Sequence, residues 1–205
     1  RTVEFFRCLP VHPRMKPRNA GLHNKGRTIL LFGSNGQLGT RLRTLLTARG
    51  PVRAVGHAEL DLRDLVRLRA LIAEARPGLI VNAAAYTAVD AAEADAENAR
   101  LVNTEAPRVM AESAAEAGAL LVHYSTDYVF DGTARLPYTE ETPTRPLGVY
   151  GATKLAGEQA VAAAGADYLT LRTAWLYSNH GKNFLNTMLR LAGELPELQR
   201  HLQRD

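Results

Sequence analysis

The residues best suited to chemistry are Tyr150 and Lys154, four positions apart in the segment YGATK. In a helix this spacing places both side chains on one face. A lysine ammonium beside a phenol favours the phenolate and lowers the tyrosine pKa, so we expect Tyr150 to act as a general acid. Ser125 and Thr126 add two hydroxyls at the end of a predicted strand, where they either bind a ligand or cap the following turn. Together these residues indicate proton-transfer chemistry.

Three glycines at intervals of three, Gly33, Gly36 and Gly39, follow a short apolar run. At a strand-to-helix junction they permit a sharp turn, close approach of a phosphate, and tight packing of the helix on the sheet. The helix N-terminus then offers its N–H groups to a pyrophosphate. The alternative is a glycine-rich turn without a ligand. Because the spacing differs from the usual G-x-G-x-x-G, it predicts a variant of the dinucleotide-binding fold.

The residues after the second predicted strand bear on which dinucleotide binds. An NAD site usually has Asp or Glu there, about 20 residues past the glycines. Here Gly56 and His57 occupy that place, and Glu59 and Asp61 come later. Without a carboxylate a ribose 2′-phosphate meets no repulsion, and Arg53 or His57 could face it. The sequence therefore favours NADPH over NADH, while an ordinary loop role for His57 is the competing interpretation.

The elements that must position these residues alternate along the chain. We predict strands over 28–32, 52–55, 79–84, 119–126 and 168–175, and helices over 36–50, 64–75, 93–118 and 151–165, the third interrupted by Pro107. Strands separated by helices need crossover connections, which produce a parallel sheet covered on both faces. The predicted fold class is α/β, a doubly wound parallel sheet of Rossmann type.

Composition and charge narrow the class of protein. The chain has 205 residues, 46% of them hydrophobic, enough for one sizeable core. Its net charge of +4 comes from residues 1–27, where seven Lys or Arg face one acid, so no nucleic-acid partner is predicted. No apolar run reaches the roughly 18 residues that cross a bilayer, so no membrane partner is predicted either. The single cysteine, Cys8, indicates a reducing compartment, the cytoplasm.

Residues 1–27 also differ from the rest in pattern. Their prolines and glycines follow no apolar periodicity, so we predict a disordered basic leader. A targeting peptide is the alternative, although the segment lacks the apolar centre of a secretory signal.

Several longer stretches carry a resemblance more specific than any single motif. They are ILLFGSNGQLG, RPGLIVNAAAYTAVDAAE, LVHYSTDYVFDG, PLGVYGATKLAGEQAV, LRTAWLY and NFLNTMLRLA. By them the chain resembles the extended short-chain dehydrogenase/reductase superfamily and, within it, the dTDP-4-dehydrorhamnose reductases. The resemblance implies catalytic roles for Thr126, Tyr150 and Lys154. Besides the three glycines, it implies dinucleotide contacts at Gln37, Leu38, Asp61, Leu62, Ala83, Ala84, Thr87, Tyr150 and Lys154, and a sugar pocket lined by Val89, Thr126, Asp127, Tyr128 and Trp175.

The reaction that the resemblance implies is reduction of the 4-keto group of dTDP-4-dehydro-L-rhamnose to dTDP-L-rhamnose, a step toward cell-wall polysaccharide. Tyr150 would protonate the carbonyl oxygen, Thr126 would hydrogen-bond it, and Lys154 would hold the nicotinamide ribose. Family members continue for roughly another 90 residues, the size of a small second lobe. We therefore expect an NAD(P)-binding domain over 28–170, and over 171–205 the last strand and a truncated beginning of the substrate-binding part.

The resemblance also bears on metals and partners. Members that use Mg²⁺ bind it through acids outside this stretch, so no metal ligand is assigned, and Glu93, Asp95 and Glu97 are interpreted as a solvated helix face. The implied partner is a nucleotide sugar, with a homodimer as the oligomeric state to test. Two alternatives stay open: a non-catalytic NAD(P)-binding regulatory subunit of the methionine adenosyltransferase type, and a nucleotide-sugar epimerase or dehydratase.

Overall fold

The computed structural model describes residues 9–14, 26–178 and 183–194. Its strands are β1 Leu9–Arg14, β2 Ile29–Phe32, β3 Val52–Val55, β4 Leu79–Asn82, β5 Leu120–Thr126 and β6 Asp167–Thr173. Its α-helices are α1 Gln37–Leu46, α2 Leu65–Ala75, α3 Val89–Ala92, α4 Ala96–Arg100, α5 Ala106–Ala117, α6 Val149–Ala163 and α7 Phe184–Glu194. A π-helical turn, Leu101–Glu105, joins α4 to α5, and a 3-10 turn, Asp127–Val129, follows β5.

The strands form one sheet in the order β1-β6-β5-β4-β2-β3. From β2 to β6 every neighbouring pair is parallel, which confirms the predicted doubly wound α/β fold. The chain leaves β2 for β3 on one side and returns to β4 on the other. In such sheets the crevice at this change of direction, outside the carboxyl ends of the strands, is where ligands bind.

Strand β2 is buried on both faces, which explains its unbroken apolar sequence. Leu30 and Phe32 belong to the larger core, together with residues of α2, α5 and α6. Ile29 and Leu31 pack on the other face, toward Leu42 of α1. Burial on both faces fixes the end of β2, and with it the start of the glycine turn.

Two predicted strands end earlier than expected. The Ala83 N–H still donates to the Phe32 carbonyl at 3.1 Å, but the Ala84 N–H leaves the ladder of β4 because the side-chain oxygen of Asn82 accepts it at 3.1 Å. Beyond β6, Trp175 adopts a left-handed backbone with φ of 52°, which a strand does not permit. Both departures occur at the carboxyl edge of the sheet, where the chain turns to form the site.

The predicted disordered leader over 1–27 differs from the structure. Leu9–Arg14 is a strand antiparallel to β6, whose outer edge would otherwise present unpaired backbone groups. Arg27 is also ordered, and its guanidinium donates to the carbonyl of Ala117 at 2.9 Å. Residues 1–8 and 15–25 lie outside the described residues.

Pro107 does not interrupt the long helical stretch as predicted. It lies in the first turn of α5, directly after the π-helical turn Leu101–Glu105. In the π-helical turn before it, the Ala106 N–H donates to the Leu101 carbonyl five residues back, and this wider turn accommodates the proline without breaking the helix. The helical stretch therefore continues from α4 into α5.

Candidate active site

The turn between β2 and α1 has no room for side chains at two of its glycines. A Cβ at Gly33, whose φ is +74°, would lie 2.6 Å from the backbone N of Ala84. A Cβ at Gly39 would lie 2.0 Å from the carbonyl oxygen of Gly33, so α1 packs directly on the turn. Gly36 caps α1 without a side-chain acceptor. The turn is therefore a backbone-lined cradle at a helix N-terminus, suited to an anionic group.

A cleft of about 930 Å³ opens beside this cradle at the carboxyl edge of the sheet. Its size is within the range of small-molecule sites. The structure places nine of the predicted dinucleotide residues in its wall: Gly33, Gly36, Gln37, Leu38, Asp61, Leu62, Ala83, Ala84 and Thr87. Thr126, Tyr150 and Lys154 line the same cleft. Gly39 lies behind the wall, where it packs on Gly33.

The two basic residues predicted near the ribose behave differently. His57 lines the cleft next to Gly56, where a Cβ would lie 2.6 Å from the side-chain nitrogen of Asn35. Arg53 does not line it, because its guanidinium pairs with Glu59 at 3.4 Å and Glu74 at 3.2 Å. Of the two alternatives, the structure places His57 in the cleft wall, together with Asn35, and a contact of Arg53 with a 2′-phosphate stays a prediction.

Asp61 also lines the cleft, but its carboxylate is already paired. The Arg63 guanidinium donates to both carboxylate oxygens, at 3.0 and 2.9 Å from Nε. This hydrogen bonding is the main reason that the pKa of Asp61 is lowered to about 2. Asp61 is therefore ionised and held in place across the physiological pH range.

Lys154 is buried at the inner end of the cleft, with 1% of its surface exposed. Its ammonium donates to the carbonyl oxygen of Tyr124 on β5 at 2.6 Å. Burial lowers the pKa of Lys154 to about 8, and the Glu158 carboxylate opposes that shift. The lysine is thus anchored by the sheet and not by the tyrosine one turn away.

The pKa of Tyr150 is raised, chiefly because the phenol is buried, although hydrogen bonding to Thr126 acts in the opposite direction. The expectation that Lys154 lowers this pKa is therefore wrong for the protein without ligand. A raised pKa keeps the phenol protonated at neutral pH, which is the form that donates a proton.

Thr126 ends β5 next to Tyr150. Its hydroxyl donates to the carboxylate of Asp127 at 3.1 Å and accepts the N–H of Tyr128 at 3.2 Å. The hydroxyl therefore caps the 3-10 turn and also lines the cleft, while its binding of a ligand stays a prediction. Ser125, the neighbouring hydroxyl, also lines the cleft.

The residues predicted for the sugar pocket lie outside the wall of this cleft, apart from Thr126. Asp127 and Tyr128 form the 3-10 turn, and the Tyr128 ring packs edge-on against Tyr150 at 5.4 Å. Val89 is the first residue of α3. Trp175 is 75% exposed and packs edge-to-face on Phe184 at 5.7 Å. The structure thus brings Asp127 and Tyr128 to Thr126 and Tyr150, two of the predicted catalytic residues, and leaves the Trp175 indole on the surface.

Sequence analysis missed a buried network beneath the cleft. Asn82 accepts the Ala84 N–H and its amide nitrogen lies 3.1 Å from Nδ1 of His123. Because that nitrogen donates, His123 Nδ1 must accept, and burial keeps the ring neutral by lowering its pKa. The network fixes the Ala83–Ala84 segment against Gly33. An asparagine at the end of a buried strand was the available signal.

A second missed group holds the loop that follows β4. Asn103, in the π-helical turn, accepts the N–H of Tyr86 at 2.9 Å and donates to its carbonyl at 3.1 Å. The Tyr86 hydroxyl donates to Asp95, which lines the cleft and is not part of a solvated face as predicted. Glu93 likewise accepts the N–H of Val149 at the start of α6, at 2.8 Å. Glu97 pairs with Arg100 at 2.9 Å, so all three acids have partners within the described residues.

The described residues give no candidate metal site and no membrane span. Within 9–14, 26–178 and 183–194, no three His, Cys, Asp or Glu side chains are grouped to hold a metal ion. None of the helices in these ranges is both long and apolar enough to span a membrane.

The family model described as the RmlD substrate binding domain matches residues 27–201. The dTDP-4-dehydrorhamnose reductase of Burkholderia thailandensis is 52% identical over 171 residues, which cover 83% of this chain and 57% of that protein. A probable dTDP-4,6-dihydroxy-2-methyloxan-3-one 4-ketoreductase of Streptomyces antibioticus is 50% identical over 162 residues, covering 78% and 55%. This chain therefore spans somewhat more than half the length of these curated relatives.

Among solved structures similar to this chain is a reductase of the same name as the Burkholderia relative. The dTDP-4-dehydrorhamnose reductase of Bacillus anthracis, determined in complex with NADP, superposes with a TM-score of 0.79 at 37% identity, over 82% of this chain and 60% of that one. The Bordetella bronchiseptica enzyme WbmH, in complex with NAD⁺, has a TM-score of 0.72 at 19% identity over 82% of this chain and 63% of that one, a likeness of fold alone.

Proposed function

The chain belongs to the RmlD substrate binding domain family, and on that premise we propose that the protein reduces the 4-keto group of dTDP-4-dehydro-L-rhamnose to dTDP-L-rhamnose. The observation that carries the proposal is a single cleft that joins the glycine cradle to Thr126, Tyr150 and Lys154. The 52% identity to a reductase of that name supports the choice of substrate.

The residues present fit a nicotinamide dinucleotide. No Cβ can be placed at Gly33 or Gly39 without a clash, so the backbone itself forms the cradle. The free N–H groups of the first turn of α1 would bind the diphosphate. When bound, the reduced nicotinamide supplies the hydride for the carbonyl carbon. NADPH is the proposed form, because His57 and Asn35 occupy the place of a ribose-binding carboxylate and a relative binds NADP. NADH is the alternative.

Tyr150 is the proposed proton donor. Its raised pKa keeps the phenol protonated until the substrate carbonyl oxygen gains charge and accepts the proton. The hydroxyl of Thr126 would hydrogen-bond the same oxygen and stabilise that charge. Lys154, anchored to the Tyr124 carbonyl, would hold the nicotinamide ribose with its remaining N–H donors. Each role falls on a residue that lines the cleft.

The substrate part of the proposal has a second candidate. The 4-ketoreductase relative at 50% identity acts, by its name, on another dTDP-linked keto sugar. Both candidates share the dTDP group and the keto group to be reduced. We place the reaction in the cytoplasm, since the single cysteine fits a reducing compartment, and we propose a homodimer as the assembly to test.

The test uses the full-length protein that contains this chain, with NADPH and dTDP-4-dehydro-L-rhamnose, and follows loss of NADPH absorbance. Replacing Tyr150 by Phe removes the donated proton, so we expect turnover to fall at least about 100-fold. Tyr138→Phe is the matched control, because that hydroxyl contacts Asp131 outside the cleft, and its rate should equal the wild type.

Two results would overturn the proposal. Wild-type turnover that survives in the Tyr150→Phe variant would exclude Tyr150 as the proton donor. NADPH binding without turnover of any dTDP-4-keto sugar would instead favour the non-catalytic regulatory alternative.

A further inference from the structure

Polar side chains connect the start of α1 with the start of α7, although the two helices are far apart in sequence. Gln37 accepts at Oε1 from the Ser178 hydroxyl at 3.2 Å and from Nδ2 of Asn183 at 3.0 Å. Asn183 Nδ2 also donates to the carbonyl of Ser178 at 2.7 Å, as does Asn186 Nδ2 at 3.2 Å. We name these four residues, Gln37, Ser178, Asn183 and Asn186, the amide clasp.

The clasp adjoins the cleft. Gln37 is the first residue of α1 and lines the cleft directly after the glycine turn. Thr173 and Leu176, on the chain that leads from β6 to Ser178, line it as well. The segment after β6 is therefore fastened to the helix that carries the proposed diphosphate site.

Asn183 performs two separate tasks with one amide group. Its Oδ1 accepts the N–H of Asn186 at 2.9 Å, which caps the N-terminus of α7. Its Nδ2 donates to Gln37 and to the Ser178 carbonyl. Because the two atoms have different partners, a substitution can remove the link to α1 and keep the helix cap.

We propose that the amide clasp is a positioning device for the dinucleotide, in which Ser178 and Asn183 hold Gln37 and keep the segment after β6 closed along the cleft. This rests on the proposed function, since it concerns release of the same cofactor. Loss of the clasp loosens one wall of the cleft, so the cofactor leaves faster. Ser178 and Asn183 act through Gln37 and are positioning residues.

The experiment measures release of NADPH by stopped flow, with excess NADP⁺ as the displacing ligand and nicotinamide fluorescence as the signal. Asn183→Ser keeps an oxygen to cap α7 but has no amide nitrogen for Gln37. The variant loses the hydrogen bonds from Nδ2 to Gln37 and to the Ser178 carbonyl, and we expect release to be about fivefold to tenfold faster. Asn183→Ala should release NADPH at a similar rate and also melt at a lower temperature, because it loses the cap as well.

Two further variants separate the clasp from general effects on α7. Ser178→Ala combined with Asn183→Ser should be non-additive, since both donors serve the same Gln37 oxygen. Arg190→Ala is the control on α7, because its guanidinium pairs with Glu194 and not with the clasp, and NADPH release should be unchanged.

The outcomes are distinct. Release from Asn183→Ser at the wild-type rate would overturn the positioning role. The positioning role would also be overturned if the NADPH release rate of every variant simply followed its melting temperature. A wild-type protein that binds no NADPH would overturn the proposed function itself, and with it the role of the clasp.

Discussion

Lys154 combines a buried position with a charge, and this makes its protonation depend on folding. Its pKa is lowered by burial from 10.5 to about 8. Between these values the unfolded chain binds a proton that the folded protein releases, so the stability contributed by this group rises with pH across that window. Below about 8 both states are protonated, and the cost of burying the ammonium is fully present.

We therefore expect the free energy of unfolding of the wild type to rise relative to Lys154→Met as the pH increases from below 8 to about 10. The relative gain is on the order of 3 kcal/mol over the whole window, since one pKa unit corresponds to about 1.4 kcal/mol. Urea unfolding of both proteins at a series of pH values measures it. Parallel curves for wild type and variant would show that Lys154 titrates alike in both states.

The sequence predicts some residues of this site and not the atoms that contact them. Tyr150 and Lys154 were found because their spacing acts within one helix. The carbonyl of Tyr124 and the imidazole of His123 come from the neighbouring strand, and no local pattern predicts which backbone or ring atom a neighbouring strand presents. The predicted direction of the Tyr150 pKa shift was wrong for the same reason, because this pKa depends on burial by residues that are distant in the sequence.

At the scale of elements, α6 and the π-helical turn are in direct backbone contact. A Cβ at Gly157 of α6 would lie 2.1 Å from the carbonyl oxygen of Asn103. Asn103 also donates to Thr153 of α6 at 3.2 Å. Because Asn103 holds the loop after β4 and α6 carries Tyr150 and Lys154, this contact sets the distance between two walls of the cleft.

Gly157→Ala should force α6 away from the π-helical turn and lower the free energy of unfolding by about 1–3 kcal/mol. Gly193→Ala in α7 is the matched control, since an added Cβ there meets no atom of the described residues within 4 Å. There the gain in helix propensity should raise stability by about 0.5–1 kcal/mol. Urea unfolding gives both values. If both substitutions stabilised the protein, helix propensity alone would account for them and the close contact would carry no weight.

Element types followed well from the sequence where burial is two-sided. Strands such as β2 and β4 are continuous apolar runs because helices cover both faces, and such runs are readily recognised. The predicted strand ends were wrong where a side chain or a backbone angle overrides the apolar pattern, as with Asn82 at the end of β4 and Trp175 after β6. Pro107 was misjudged because its position within the helical turn, and not its presence, decides whether a helix breaks.

Buried side chains connect elements of the fold that are separate in the sequence. A buried ion pair, Arg172 of β6 with Glu158 of α6 at 2.7 Å, links the last parallel strand to the helix of Tyr150. The Arg172 guanidinium also lies over the ring of Phe130, 5.0 Å from its centre.

The doubly wound architecture was predictable, since alternation of strands and helices leaves few topologies. The antiparallel β1 was not, because its sequence has no strand pattern.

A ligand that bridges the carboxyl edge of the sheet must stabilise the whole fold. NADPH at about one hundred times its dissociation constant should add about 2.7 kcal/mol to the free energy of unfolding, because it binds only the folded state. Gly33→Ala should abolish that gain, since its Cβ would lie 2.6 Å from the Ala84 nitrogen inside the cradle. Thermal melts with and without NADPH measure the effect.

Gly132→Ala supplies the control for backbone strain in this prediction. Gly132 has φ of +75°, almost the same as Gly33 at +74°, but an added Cβ there meets nothing within 4 Å. Without ligand both alanine variants should melt at a lower temperature, because a left-handed L-residue costs roughly 1–2 kcal/mol, and Gly33→Ala should lose more stability than Gly132→Ala because its Cβ also meets backbone. Only Gly33→Ala should then lose the NADPH-dependent rise. An equal rise in both variants would mean that the glycine turn does not hold the dinucleotide, because a filled cradle cannot bind it as well as an open one.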